Sequence, residues 1–364
     1  MAEQKSPRSL VSGIVLGLAI AAVLYGGVWY ASARLLRGEV ERWLEARRAE
    51  GFAIRTGAIL TAGFPSRIAI RVTDLDFAAP PARGRWTWRT PAVEVTASPL
   101  RLGHIAIDLA GAHQIAGPWL ESAPVQLTAT KAALTLDLKD GALDEAQLTL
   151  EDGTGVWNGA DSRLHTDKAG VRVSLHPDAP PPVAPASEKN GGALPVISTR
   201  LAVKIENLTV PGDLPQPLSN TLRELAFNAE LVGPVGDGAL PKLLATWSDA
   251  GGAINLKDVT LDWPPVVLSG EGSIALDQNL QPMGAFTARM AGFTDALDIM
   301  VREQRMRPDE AAVAKAMLGL MAKPGPGGRA EIGMPLTVQD RQLSSGPLKL
   351  FELPRIDWPR APPP

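Results

Sequence analysis

Arg67-Ile68-Ala69-Ile70-Arg71-Val72-Thr73 alternates apolar and polar side chains without interruption. Successive side chains of a strand point to opposite faces, so this stretch reads as a β-strand with one dry and one solvated face. Three further segments repeat the pattern: Leu134-Thr135-Leu136-Asp137-Leu138-Lys139, Val171-Arg172-Val173-Ser174-Leu175 and Leu201-Ala202-Val203-Lys204-Ile205-Glu206. Weaker versions occur at 92–97, 104–109, 125–130, 147–150, 225–231, 253–262, 266–276, 285–290, 334–339 and 347–351. This makes about fourteen strands, many separated by turn signals. Lys139-Asp140-Gly141, Glu151-Asp152-Gly153 and Lys168-Ala169-Gly170 are three of these signals. A strand with one polar and one apolar face belongs in an antiparallel rather than a parallel sheet. The predicted fold class is mainly β: a large antiparallel amphipathic sheet, curled or sandwich-like, with a few helices.

One transmembrane helix precedes that sheet. Leu10 to Tyr30 contains 21 residues and no charge. As a helix it would be roughly 32 Å long, enough for a hydrocarbon core of about 30 Å. Tyr25, Trp29 and Tyr30 gather at its far end, where amphipathic rings favour the membrane interface. A cleavable signal peptide is the competing reading, because Ala31-Ser32-Ala33 has the form of a processing site. The apolar run exceeds an ordinary signal-peptide core, which favours an uncleaved anchor. Residues 34–50 continue as a membrane-exit helix with Leu36, Val40, Trp43 and Leu44 on one stripe. Glu39–Arg42, Arg37–Glu41 and Glu45–Arg48 are spaced to pair on its wetter faces.

The remaining organisation follows from punctuation. Residues 1–9 form a short N-terminal tail and 10–33 the anchor. A first β half covers 51–176 and a second 196–360, with 361–364 as a terminal tail. Between the halves, Pro177–Pro195 has six prolines and two glycines, a composition for an extended linker. Helices are expected near 220–247, at Asn220–Ala226 and Pro241–Trp247, and near 294–322. In the last stretch Thr294 would cap a helix through Met306. Pro308-Asp309-Glu310 would start a second, with Val313, Ala316, Met317, Leu320 and Met321 facing inward.

Several chemistries are excluded by what is missing. The 364 residues include no cysteine and four scattered histidines, His104, His113, His165 and His176. A zinc or redox site needs such ligands clustered, so no metal is expected. Neither G-x-S-x-G nor a phosphate-binding G-x-x-x-x-G-K-[ST] occurs. Pro324-Gly325-Pro326-Gly327-Gly328 reads as a tight connector, because proline lacks the N–H a phosphate cradle requires. No cofactor and no enzymatic activity are expected. With 36 Lys+Arg against 39 Asp+Glu, net charge −3, the chain has no basic stripe for nucleic acid. Its 35 glycines and 32 prolines demand many turns.

The apolar strand faces must be covered by something, and the expected helices are too few. Either two sheets close into a sandwich, or the sheet curls into a trough open to a long apolar ligand. Eight strands at about 4.8 Å spacing span roughly 38 Å, enough for an acyl chain. Burying about sixteen carbons gains on the order of 12 kcal/mol. In the trough reading Leu134, Leu136, Leu138, Val171, Val173, Val203 and Ile205 line the lipid-facing surface.

Gly63-Phe64-Pro65, Trp86…Ala92-Val93-Glu94-Val95, Trp263-Pro264-Pro265…Ser269-Gly270-Glu271-Gly272 and Met334-Pro335-Leu336-Thr337-Val338-Gln339-Asp340…Gly346-Pro347-Leu348 carry a resemblance. Together they resemble a family of uncharacterised single-anchor envelope proteins from alphaproteobacteria. That family is in turn distantly similar to the AsmA-type proteins, whose amphipathic sheets form lipid-accommodating grooves. The resemblance implies a single-pass inner-membrane protein with its N-terminus in the cytoplasm and its large domain in the periplasm. Membrane lipid and envelope proteins are the implied partners. No catalytic residue comes with the resemblance. Charge alone points the other way, since Arg34, Arg37, Arg42, Arg47 and Arg48 follow the anchor.

Overall fold

The computed structural model describes residues 7–118, 124–157, 162–175, 197–233, 240–325, 328–346, 348–356 and 358. The chain forms two compact units. The first is Met1–Gln126 with Ala133–Ala142, and the second is Leu127–Ala132 with Leu143–Pro364.

The first unit begins with α1 (Pro7–Ala49), a single helix of 43 residues, about 65 Å long. The expected anchor and exit helix are thus one rod, because no proline or left-handed glycine interrupts the chain after Pro7. It ends at Gly51, whose φ of 91° lets its N–H bond back to Arg48 O and the Phe52 N–H to Arg47 O. That double bond with a left-handed glycine is a Schellman cap. Arg37–Glu41 and Arg42–Glu39 pair along the helix as expected, while Arg48 Nε donates instead to Ile54 O at 3.3 Å.

Six strands follow: β1 (Ala53–Arg55), β2 (Ile59–Ala62), β3 (Ile68–Ala78), β4 (Thr87–Ser98), β5 (Arg101–Asp108) and β6 (Gly111–Ala116). A seventh, β7 (Val125–Lys139), is divided between the units. All pair antiparallel. β3 is central, with β1 and β2 on one side and β4 on the other. β4 continues to β5 and β6, and β5 pairs with residues 133–137 of β7.

The core of this unit forms where α1 covers β3. Ala33 and Leu36 meet Ile68, Ile70 and Ala97, and farther along the helix Leu44 meets Leu75, Phe77 and Val93. Asp74, at φ 49°, explains why clean alternation stops at Thr73. Before it Ile68 and Ile70 face the helix, and after it Leu75 and Phe77 do, so the parity changes at this residue. Aspartate adopts the left-handed region more readily than most residues. Trp43, expected in the buried stripe, is 53% exposed and rests against the Phe77 ring at 6.1 Å.

The second unit is an antiparallel meander. Its strands are β8 (Ala142–Val156), β9 (Arg163–Leu175), β10 (Ile197–Thr209), β11 (Thr221–Val232), β12 (Ala253–Trp263), β13 (Val266–Leu276) and β14 (Pro282–Ala291). After β14 come β15 (Lys323–Pro324), β16 (Ala330–Gln339), β17 (Gln342–Ser345) and β18 (Leu348–Glu352). β8 through β14 pair in sequence order, β14 pairs β16, and β15 lies on β16. Three helices decorate it: α2 (Leu240–Asp249), α3 (Phe293–Arg302) and α4 (Pro308–Met321).

Several expectations need correction. Residues 220–226 are not helical: they open β11, because β10 and β12 on either side satisfy their backbone groups and override a weak local helix preference. Asp152-Gly153 and Lys168-Ala169-Gly170 are not turns. Asp152, at φ 54°, sits inside β8 between the Glu151–Lys168 and Gly153–Thr166 pairs, where it locally irregularises the strand. Only Asp140-Gly141 of the three makes the connection, both residues having positive φ. Strands therefore run to 15 residues in β8 and 13 in β9 and β10. Pro177–Pro195 lies outside the described residues, but it does not divide the sheet, since β9 and β10 pair directly from Leu175–Thr199 to His165–Thr209. Gly292, not Thr294, precedes α3.

The α4 stripe faces outward. Val313, Met317, Leu320 and Met321 are 57–90% exposed, while Ala311 is buried and Lys315 pairs with Asp298 of α3 at 2.6 Å. Small and charged side chains, not the methionines, seat this helix.

Candidate functional site

The second unit carries an apolar sheet face whose side chains align across strands. Cross-strand register makes one row of Ala146, Val173, Leu201, Ala229, Leu256 and Gly272, continued by Phe286 and Leu336. A parallel row runs Ala169, Ile205, Leu225, Leu261, Leu268 and Met290, ending at Ile332. Between them Leu148, Val171, Val203 and Phe227 form a third. Residues directly opposite on one face have neighbouring Cβ atoms, so these rows are continuous apolar strips.

Most of these side chains are half-buried. Leu201, Val203, Ile205, Val171, Val173 and Phe286 all keep contact with solvent. In the first unit, where α1 lies on the sheet, Ile68 and Ile70 are 0% exposed. A closed sandwich would give the second unit similar zeros in mid-sheet. Full burial there is scattered: Val232 lies with Trp247 of α2, Ala291 with Phe293 and Leu297 of α3, and on the rows themselves Ile332 is 2% and Ala229 8% exposed. Trp247 donates to Val232 O at 2.9 Å and needs Gly252, where an added Cβ would stand 2.3 Å from its ring. Gly272 serves the face similarly, because a Cβ there would meet the Phe286 ring at 2.3 Å. The Ser269-Gly270-Glu271-Gly272 stretch thus lets an aromatic ring lie flat along the apolar strip.

The opposite face is an ion-pair ladder. Glu230 takes a hydrogen bond from Lys257 at 2.7 Å and pairs with Arg200 at 3.5 Å. Lys204 bridges Glu206 at 2.7 Å and Glu224 at 3.6 Å, and Lys131 holds Glu151 at 2.7 Å. These contacts depress the carboxyls of Glu230, Glu206 and Glu151, chiefly through the lysine hydrogen bonds, and the Glu206 bond raises Lys204. Such shifts are those of structural ion pairs, of whose carboxylates Glu230 is the most covered, at 16% exposure.

Of the seven lipid-facing candidates, Val171, Val173, Val203 and Ile205 lie together on the apolar face of the second unit. Leu134, Leu136 and Leu138 belong to the first unit, where Leu134 and Leu136 oppose Ile107 and Ile105 of β5. Residue-level reading missed Leu148, Leu225, Leu261, Leu268 and Phe286, whose membership depends on register rather than on local alternation.

The interface aromatics divide. Tyr25 donates to Pro65 O at 2.6 Å and Trp29 Nε1 to Arg67 O at 2.9 Å, so both tie α1 to the β2–β3 turn. Tyr30 remains 57% exposed, with the Arg34 guanidinium 5.3 Å from its ring. α1 is long and apolar enough to cross a membrane. Among the described residues no three His, Asp or Glu side chains stand together as metal ligands. No curated protein and no solved structure matches the chain. Residues 29–354 match the family described as an uncharacterized protein conserved in bacteria (DUF2125), which covers both β units and the end of the apolar helix, and the chain belongs to that family.

Proposed function

We propose that this protein is a non-catalytic, membrane-anchored component of the bacterial envelope that accommodates lipid acyl chains on the apolar face of its second unit. The supporting observation is the half-buried state of most large side chains on that face across its eight strands. Strands of 10–15 residues make it roughly 33–50 Å long in the strand direction, longer than an extended acyl chain. A lipid tail arriving from a bilayer is already dry, so the exchange is near neutral and reversible, as a carrier requires. The alternative, an assembly adaptor with a closed β core, calls for large mid-sheet side chains as buried as Ile70, whereas Val171, Val173, Leu201, Val203 and Ile205 are half-buried. The likeness to AsmA-type proteins and to alphaproteobacterial envelope proteins belongs to this proposal, resting on the amphipathic strands. So does the topology: α1 spans the inner membrane once, with its N-terminus in the cytoplasm and both β units in the periplasm.

A photocrosslinking residue at Val203, in cells, should capture phospholipid, and Val203→Arg should abolish capture at a neighbouring site such as Leu225 while the fold persists. A guanidinium on an open face reaches water along its stem, whereas in a closed core it would be buried unpaired. Absence of lipid at Val203, with unfolding of Val203→Arg, would refute the trough. Alkaline phosphatase fused after Pro364 tests the topology, and a silent fusion would reverse it.

A further inference from the structure

The apolar helix does not leave the membrane alone. Leu16, Leu18, Ile20, Val23 and Leu24 are 52–75% exposed, as lipid-facing side chains are, and close packing begins only at Ser32 and Ala33. Between those limits α1 already binds the first unit. Tyr25 bonds Pro65 O, Trp29 bonds Arg67 O, and Ser32 Oγ bonds Pro99 O at 3.3 Å. The Trp29 ring also meets Phe64 edge-on at 5.3 Å. The β2–β3 turn is therefore level with Tyr25 and Trp29, the residues at the end of the uncharged run. Tyr25 lies roughly 6 Å farther into that run than Trp29.

We infer that the β2–β3 turn and the β4–β5 turn are a bilayer-inserting edge, with Phe64 and Leu100 entering the headgroup–acyl boundary of the membrane that α1 crosses. This inference rests on the anchor proposed above. Three observations carry it. First, the turn is built for a dry setting: Thr56 to Ser66 is eleven residues without a charge, and Val95 to Leu100 is six. Second, its projecting side chains are apolar: Leu60 is 52% exposed, Phe64 60% and Leu100 74%. Third, four carbonyls of the two turns are bonded within the protein. Pro65, Arg67 and Pro99 O accept from the helix, and Gly63 O accepts from the Arg67 N–H at 3.0 Å. Backbone placed at membrane depth must be satisfied internally in this way. The occupant is a lipid surface rather than a protein because the tip is fastened to the very helix segment that is long and apolar enough to span. Arg67, which also pairs with Glu94 at 3.8 Å while staying exposed, and Arg101 border the two turns in sequence, where their charges can meet lipid phosphates. Inserted side chains of this kind reach roughly 5–10 Å into the boundary, and they would hold the first unit at a fixed tilt.

The natural absence of cysteine makes the test direct, because each introduced cysteine is unique. The full chain is reconstituted into phosphatidylcholine–phosphatidylglycerol vesicles with an environment-sensitive fluorophore at Val23→Cys, Phe64→Cys, Leu100→Cys or Arg83→Cys. Arg83 reports the far end of the first unit, where it pairs with Glu50 at 4.0 Å near the end of α1. Lipids carrying a shallow nitroxide should quench positions 23, 64 and 100 several-fold more than position 83. Quenching at 23 with either 64 or 100 no more quenched than 83 would overturn the inserted edge and leave the anchor standing. No quenching at 23 would remove the anchor, and the inference with it.

Discussion

Ile70 and Ile205 offer the same side chain in the two settings that the functional proposal contrasts. Ile70 is 0% exposed beneath α1, against Leu36 and Ala33. Ile205 pairs with Ala169 and Leu225 on the half-exposed face of the second unit. Truncation of either to alanine removes three carbons, about 2.4 kcal/mol of transfer free energy when burial is complete. At Ile70 the closed site adds a cavity term, for a total of about 4 kcal/mol. At Ile205 no sealed cavity forms and some of the side chain is already wet, so the cost should be roughly 1 kcal/mol. Because the chain has two units, a single melting transition need not report both. Hydrogen exchange read by mass spectrometry resolves them, using peptides from β3 and β10 in detergent-solubilised full-length protein. A difference of about 3 kcal/mol corresponds to roughly a hundredfold difference in the acceleration of exchange. Equal acceleration, with Ile205→Ala as costly as Ile70→Ala, would mean that the second face is sealed and that the open trough is wrong.

Two further outcomes follow from the same geometry. Gly272→Ala should destabilise the second unit by about 1–3 kcal/mol through its clash with the Phe286 ring and with Ala285 O, and adding Phe286→Ala should cost less than the sum of the two single changes because the ring contact is then gone while the backbone contact stays; chemical denaturation showing strict additivity would refute the ring contact. The carboxyls of Glu230, Glu206 and Glu151 are depressed by their lysine partners, so their folded values lie below the unfolded value of about 4.3. Their stabilisation is present above that value and is lost as pH falls through the folded one. Lys204 is raised, so its share is present below about 10.4 and is lost as pH rises beyond the folded value. Chemical denaturation across pH should accordingly weaken at the acid end, and Glu230→Gln should flatten that limb by less than about 1 kcal/mol. An acid limb identical in Glu230→Gln and the parent would exclude Glu230 from it.

The strands were legible because their chemistry is local. Arg67–Thr73 and Leu201–Glu206 show period two in their own residues, and the sheet contains them as read. The uncharged run before Ala31 was equally legible, since length and absence of charge are properties of one segment. What escaped depended on partners. Residues 220–226 have a helical look in isolation and become strand because β10 and β12 claim both edges. Asp152-Gly153 has the composition of a turn and is instead absorbed into β8, because β9 pairs on both sides of it. Gly272 carries no hydrophobic signal at all, yet it helps shape the apolar strip by leaving room for Phe286.

The same distinction explains the site. Apolar alternation specifies that a face is dry in sequence terms, but whether anything covers it is a question about other elements. In the first unit the cover is α1, and it is written in sequence as Ala33, Leu36 and Leu44 at helical spacing. The second unit has three helices among its described residues, and one of them turns its apolar stripe outward while resting on Ala311 and the Lys315–Asp298 pair. A helix that exposes Met317 and Leu320 is not providing the missing cover. The second unit therefore retains apolar surface on its sheet and on α4, and water is a poor solvent for both. An isolated soluble domain with so much uncovered apolar surface would tend to associate. A protein that begins with a helix long enough to span a bilayer has another outlet, because the lipid that its sheet could hold is present at the membrane itself.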